Sequence, residues 1–341
     1  MSNSLEDLKE SYTDFLNSER FNYEDRILTA IDDYNVQSQQ HGKIGWGCPR
    51  VKFNLTELRS SKPTLEKRLH RDPLRHIRAI ESACQDIALS SRPDFSKSAT
   101  EIKVAICGVI NANPSTPRSL TSSSLCELVC VEGVATRVSA IKPKIVTSVH
   151  YCPATNKHQS KNYVDATDPH LGLPAVDDSG RELNDQIINI TSSVYPTKDN
   201  DQNPLETEFG LSTFKDHQTM VLQEMPEKAP MGQLPRSIEL ILDDDLVDKV
   251  KPGDRVQIVG VYRALAATAN GQSTTSGIFR TVVLVNNVQI LGRDVSQLNF
   301  MPEDIKTIKN LSKRSDILSI LGRSLSPSIH GHEVIKKALA L

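Results

Sequence analysis

The sequence predicts an α+β chain: an N-terminal helical bundle, a small β-barrel interrupted by an inserted subdomain, and a C-terminal helical linker. Two observations carry that class. Before residue 110 and after residue 294, apolar residues recur at three- and four-residue spacing. Between those limits they recur at every second position, in short runs bounded by Pro, Gly and Asp. A chain of 341 residues has room for two or three cores, and an aromatic content of 5% leaves those cores to aliphatic side chains.

Leu5, Leu8, Tyr12 and Phe15 make one apolar stripe, and Leu74, Ile77, Ile80, Cys84 and Ile87 make a second. Asp72 before Pro73 predicts a helix start, because a side-chain oxygen can accept an orphan amide while proline has none to offer. Between these stripes Val51, Phe53 and Leu55 alternate with Lys52 and Asn54, which predicts one short strand. Lys67, Arg68, Arg71, Arg75 and Arg78 are interspersed with Glu66, Asp72 and Glu81 and read as a solvated face.

Alternating runs at 125–138, 140–150, 217–224, 236–242, 254–263 and 279–291 supply enough strands for a closed barrel of the OB type. Gly133 suggests a bulge that lets the first strand curl, and Pro252-Gly253 suits a type II turn. Past residue 150 the alternation weakens and Asp, Asn, Pro and Thr accumulate, as in an inserted subdomain, to which residues 187–190 could supply a strand. Pro302 then opens a helix with Ile305, Ile308 and Leu311, and Ile317, Leu318 and Leu321 belong to another. From Glu333 a further helix opens without a stop signal, as if the sequence were cut inside a larger domain. The predicted division is 1–110 helical bundle, 111–150 with 192–293 barrel, 151–191 insertion, 294–323 linker, and 324–341 the start of a truncated domain.

A formal charge of -2 excludes a uniformly basic nucleic-acid binder, so any such contact must be a local patch. No apolar run approaches the roughly 20 residues needed to cross a bilayer, and the first ten residues lack a secretory pattern, which points to a cytosolic or nuclear protein without membrane contact. Cysteines 48, 84, 107, 126, 130 and 152 are irregularly spaced and read as reduced thiols. There is no GxxxxGK[ST] phosphate loop, GxSxG elbow or HExxH helix, so these residues alone are expected to be catalytically inactive.

Two stretches are candidates for nucleic acid. Between Glu132 and Asp165 there is no acidic residue, while Arg137, Lys142, Lys144, Lys157 and Lys161 all fall inside. Lys142 and Lys144 flank Pro143 and should share a strand face, either as phosphate contacts or as a lysine-protected strand edge. The second stretch reads as a long hairpin with Asn270-Gly271 near its tip and Arg263 and Arg280 at its base. For metal, Cys126 and Cys130 in one strand would lie about 13 Å apart, too far to share an ion, and are better taken as small buried residues. His150, Cys152 and His158 form a weak cluster lacking a second CxxC-like half, and zinc is not expected there.

The run DHQTMVLQEMPEKAPMGQLPRSIELILDDDLVDKVKPGDRVQIVGVYR at 216–263 resembles the N-terminal domain of the minichromosome maintenance (MCM) replicative helicase family. VCVEGVATRVSAIKPKI upstream resembles that family's first barrel strands, and LSPSIHGHEVIKKALAL at the end resembles the lead-in to its AAA+ ATPase domain. SSVYPTKD, NPLETEFGLSTFKDHQT and SIHGH are similar to the third subunit of the eukaryotic ring. The resemblance implies a nuclear subunit of a hetero-hexamer that encircles DNA in replication initiation and fork unwinding. Implied partners are subunits five and seven as neighbours, single- and double-stranded DNA, and replication-loading factors. It implies that the loop containing Glu224, Pro226, Pro230, Gly232, Pro235 and Arg236 relays between tiers, with Glu224 and Arg236 able to pair across a subunit boundary. Ile329 and Gly331 match an element near the adenine, and ATP with Mg²⁺ is implied for the full-length family member. Other members hold zinc with two CxxC pairs in the insertion, whereas here only Cys152 occupies such a region, so the insertion is read as a degenerate zinc-ribbon-like element. Two alternatives stand beside this reading: an assembly module with little DNA contact, and a stand-alone single-strand binder stacking bases on Tyr262 and Phe279.

Overall fold

A computed structural model describes residues 5–18, 20–41, 48–92, 101–108, 115–168, 174–176, 182–187, 191, 196–198, 202–230, 232–265, 268–269, 272–273, 279–291, 302–325, 327 and 329–340. It comprises two units, Met1–Gly292 and Arg293–Leu341.

The first unit begins with a helical lobe: α1 (Leu5–Leu16), α2 (Tyr23–His41), α3 (Leu55–Ser61), α4 (Pro63–Arg71) and α5 (Pro73–Ser91). Both apolar stripes of the sequence lie inward, since Leu8, Tyr12, Phe15, Ile80, Cys84 and Ile87 belong to one buried cluster. Tyr12 and His76 are both buried within the lobe, and the tyrosine hydroxyl lies 2.8 Å from His76 Nδ1. The helix start at Pro73 is as expected, but its cause differs. Asp72 makes no side-chain capping bond; its backbone N–H instead donates to Arg68 and closes α4. Asn54 is the residue that caps, accepting from Thr56 N–H at 3.0 Å to start α3.

The expected short strand is β1 (Arg50–Asn54), which pairs in parallel with β2 (Lys103–Cys107); Leu55 already belongs to α3. Asn286 continues this small sheet with its side chain. Its carboxamide oxygen accepts from Ile106 N–H at 2.7 Å, and its amide donates to Val104 at 2.8 Å. Arg50 adds a two-nitrogen contact to Asp245 and donates to the Asn286 carbonyl at 2.7 Å. The lobe is therefore locked to the rest of its unit by polar groups as well as by its core.

The remainder of this unit is the barrel and its insertion: β3 (Leu128–Val138), β4 (Lys142–Cys152), β5 (Lys157–Asn162), β6 (Pro174–Val176), β7 (Glu182–Ile187), β8 (Glu206–Thr207), β9 (Thr213–Gln223), β10 (Ser237–Asp243), β11 (Arg255–Leu265), β12 (Thr268–Ala269), β13 (Gln272–Ser273) and β14 (Arg280–Ile290). Strands β3, β9, β10, β14 and β11 pair in that order and close on β3, all antiparallel except β10 with β14. This is the five-strand ring of an OB barrel. Val129, Val131, Met220, Leu222, Leu240, Ile258 and Val283 fill its interior. Leu128 and Cys130 point the other way, into the lobe's core, so the start of β3 is buried on both faces.

The structure departs from expectation at two places in the barrel. The alternating run at 140–150 reads as a barrel strand, yet β4 lies outside the ring, pairing with β9 over Lys142 to Thr147 and then with β5 and β8. Its alternation reflects a sheet extension with one covered face, a pattern indistinguishable from that of a barrel strand. Nor does Gly133 mark the bulge, because the register shift of β3 falls between Ala135 and Arg137. Gly133 instead marks a close crossing, where a Cβ would sit 2.4 Å from the Gln223 carbonyl oxygen. The turn before β11 is as expected, with Gly253 at φ 98° and Asp254 N–H bonded to Lys251 at 3.1 Å. In the insertion, β6 and β7 form a separate ribbon, and positions 188–190 lie outside the described residues.

The second unit holds α6 (Pro302–Ser312), α7 (Ile317–Leu325) and α8 (Glu333–Ala340). α7 packs on α8 at Gly322, where a Cβ would stand 3.2 Å from Lys337 Cγ. Ile308, Leu311, Leu318 and Leu321 are exposed, and the side chain of Ile305 lies outside the described residues.

Candidate nucleic-acid interface

The acid-free stretch forms the end of β3, the β3–β4 turn, β4, the β4–β5 turn and β5. Ser139 pins that turn to β9: its N–H donates to Thr219 at 2.9 Å, its hydroxyl accepts from Thr219 N–H at 3.0 Å, and its carbonyl accepts from the buried Gln218 amide at 2.8 Å. Arg137 and Lys142 flank this fixed turn and are exposed. Lys144 is different. Its ammonium lies 2.7 Å from Asp165 and 2.7 Å from Thr167, and its side chain is 16% exposed. Burial alone would raise the Asp165 carboxyl, but hydrogen bonds from Lys144 and Thr167 outweigh it and hold that carboxyl below its ordinary value. The Lys142 and Lys144 pair is thus divided, because an acid just beyond the acid-free stretch folds back onto Lys144.

At the base of the β11–β14 hairpin both arginines are engaged. Arg263 donates to the Asp168 carbonyl at 2.8 Å, and Arg280 pairs with Glu239 of β10. The ribbon β12–β13 continues this hairpin, and Asn270-Gly271 lies outside the described residues. Lys157 is exposed, and Lys161 lies over the Tyr163 ring at 4.9 Å.

The loop after β9 also differs from expectation. The Glu224 side chain is 1% exposed and meets Arg118 at 3.3 Å, so it does not face outward to pair with Arg236 across a subunit boundary. Arg236 enters only through its backbone, its carbonyl accepting from Glu224 N–H at 2.9 Å. Arg118 also donates to the Leu234 carbonyl at 3.1 Å and bonds the Gln233 side chain, which makes it the clamp of the loop. Sequence reading misses Arg118, since its partner lies 106 residues away. Pro226, Pro230, Gly232, Pro235 and Arg236 are exposed around that clamp, with Gly232 at φ 77°.

The metal candidates do not converge. His150 is fully buried, with Nε2 2.7 Å from the Ser148 hydroxyl and Nδ1 3.1 Å from the Thr207 hydroxyl, so both ring nitrogens are occupied. His158 pairs in register with Tyr151 and packs on its ring at 5.1 Å, on the face opposite to His150 and Cys152. This donor set does not fit zinc, and no group of three His, Cys, Asp or Glu converges elsewhere among the described residues. Cys130 is buried as expected, but Cys126 is exposed and precedes β3 at φ 64°.

In the second unit, Ile329 and Gly331 line a cleft of about 410 Å³ with Gly322, Arg323, Glu333 and Lys336. Gly331 has φ 75°, and Ile329 is half exposed.

Comparison with known proteins gives a consistent picture. A family model described as the MCM OB domain matches residues 115–266. The chain is 44% identical over 318 residues to the maternal DNA replication licensing factor mcm3 of Xenopus laevis, covering 92% of this chain and 37% of that protein. It is 43% identical to the DNA replication licensing factor MCM3 of Gallus gallus over the same shares. Identity to the Mcm3 licensing factor of Drosophila melanogaster is 42% over 337 residues, 98% of this chain and 37% of that protein. The chain thus spans little more than a third of the length of these relatives. Its closed five-strand ring, four strands of which (β3, β9, β10 and β11) lie in the matched segment, and these identities together show that the chain belongs to the MCM family.

Proposed function

We propose that these residues form the DNA-encircling and assembly tier of a third-type MCM subunit, acting in a nuclear hetero-hexamer during replication initiation and fork unwinding. The observation that carries the DNA contact is the pinned β3–β4 turn. It holds Arg137 and Lys142 exposed on a rigid barrel, while Lys144, Arg263 and Arg280 are engaged within the chain. Exposed cations five residues apart on a fixed turn suit backbone phosphates of single- or double-stranded DNA, without base readout. In this reading subunits five and seven are the ring neighbours, loading factors act on the assembled ring, and the exposed Pro/Gly loop around Arg118 contacts the motor tier. ATP and Mg²⁺ act in the part of such relatives that this chain does not span, with Ile329 and Gly331 contributing near the adenine. The working division keeps the helical bundle at 1–110, the barrel as a closed ring, and a linker at 294–323 leading into AAA+ residues at 324–341. The insertion is a metal-free counterpart of a zinc ribbon, its hydroxyl and imidazole groups bonded to one another.

A single-strand binder stacking bases on Tyr262 and Phe279 is less well supported, because the Tyr262 ring is 6% exposed in the barrel core and only Phe279 of the two is open to solvent. An assembly module with little DNA contact is favoured by the engagement of three of the five candidate cations. One experiment separates it from the main reading. The Arg137→Glu, Lys142→Glu double variant should bind DNA more weakly, with a salt slope lower by about two units, roughly one for each phosphate no longer neutralised. Lys144→Glu should leave that slope unchanged. An unaltered slope in the double variant would assign the chain to assembly alone.

A further inference from the structure

A cleft of about 570 Å³ lies where the helical lobe, the barrel and the insertion meet. Leu74 and Ile77 of α5, Phe214 of β9 and Ile241 of β10 give it apolar walls. Phe214 remains 45% exposed, so its ring is accessible from solvent. Most charged groups on the lining are already matched. Arg50 holds Asp245, Lys103 holds Glu101 at 2.8 Å, and Lys215 holds Asp243 at 3.2 Å. Arg78 and Asp168 are likewise engaged.

Two carboxylates on the lining accept no side-chain hydrogen bond among the described residues. Glu81 accepts only the Val104 N–H, at 3.3 Å, and the Asp244 carboxylate accepts no hydrogen bond among the described residues. Burial raises both carboxyls above their ordinary values, for Glu81 against the pull of Lys103 and for Asp244 against Lys215 and Lys103. Each lysine is shared rather than dedicated, since Lys103 also bonds Glu101 and Lys215 bonds Asp243. Asp244 is also held at φ 54° by the turn after β10.

We propose that this cleft receives an arginine side chain presented by a partner polypeptide. A guanidinium supplies five donors in one plane, enough for two carboxylates, and its face can lie on an aromatic ring such as Phe214. Its propyl stem suits the walls formed by Leu74 and Ile77. Lysine, a strongly hydrated point charge with three donors, fits less well. The proposal is independent of the DNA reading, which rests on the opposite charge and on a different part of the barrel.

The test titrates the chain with N-acetyl-arginine methylamide and with its neutral isostere, N-acetyl-citrulline methylamide, following methyl NMR signals of Ile77 and Ile241. Saturable shifts are expected for arginine with Kd on the order of 1 mM, as suits a single side chain, and at least tenfold weaker for citrulline. The Glu81→Gln, Asp244→Asn double variant should lose arginine binding at least tenfold. Both changes are isosteric, glutamine still accepts the Val104 N–H, and asparagine tolerates positive φ. The unliganded double variant should accordingly melt no lower than the parent. Phe214→Leu, at an exposed position, should independently weaken arginine binding severalfold. Absent shifts, equal binding of citrulline, or undiminished binding by both variants would overturn the proposal.

Discussion

The helical lobe and the insertion rest on the same barrel and are attached to it by opposite means. The lobe shares an apolar core with the outer faces of β3 and β11 through Leu128, Cys130, Val259 and Val261, and Asn286 completes its sheet edge. The insertion extends β9 sideways and is held by polar groups: Lys144 on Asp165, and His150 between two hydroxyls. Strand β5 is exposed at almost every position. Shared apolar burial couples two elements into one cooperative unit, whereas isolated polar contacts stabilise a segment only locally. The lobe and ring should therefore stand or fall together, with the insertion able to open alone.

The largest effect should come from Phe53→Ala. Its ring lies 5.6 Å from Tyr23, 5.7 Å from Phe15 and 6.3 Å from Tyr12, at the centre of the lobe. The truncation should cost about 3–5 kcal/mol in urea unfolding. Hydrogen exchange should accelerate in α1 and in β3 alike. Loss of protection in α1 with β3 intact would break the coupling.

Next comes pH. Burial pushes His76 down to about 4, so the unfolded chain, titrating near 6.5, binds its proton first as pH falls. The stability that neutral His76 allows is therefore complete above about pH 6.5 and is lost progressively towards pH 4, on the order of 3 kcal/mol at the acid end. His150 in the insertion is also lowered by burial and shifts stability in the same direction. Urea titrations at pH 7.5 and 5.0 should show a fall that His76→Gln reduces. An equal fall in that variant would place the sensitivity elsewhere.

The smallest effect should be that of Lys144→Met. Asp165 is half exposed, so removing the pair should cost less than about 1 kcal/mol. Faster exchange should be confined to β4 and β5. Loss of protection in β11 would show that the insertion is not locally held.

The positions of the six alternating runs are legible because period-two burial is a local property, and each run coincides with a strand to within a few residues. The same periodicity cannot reveal that β4 lies outside the ring, since a covered sheet extension alternates as a barrel strand does. Cys126 illustrates a different limit. Its spacing from Cys130 suggests a shared strand, but the chain turns at positive φ before β3 begins.

At the candidate site the residue types are legible and their availability is not. By itself the sequence determined the class of fold, the approximate limits of its strands, and the motifs that tie it to the MCM family. Only the tertiary structure decided that Lys144 is taken by Asp165, that Glu224 is closed off by Arg118, and that Arg137 and Lys142 stay open. The physical reason is separation along the chain. Burial periodicity is written within a few neighbouring residues, whereas the partners of these charges lie 21 and 106 residues away, and such pairings exist only once the barrel has closed.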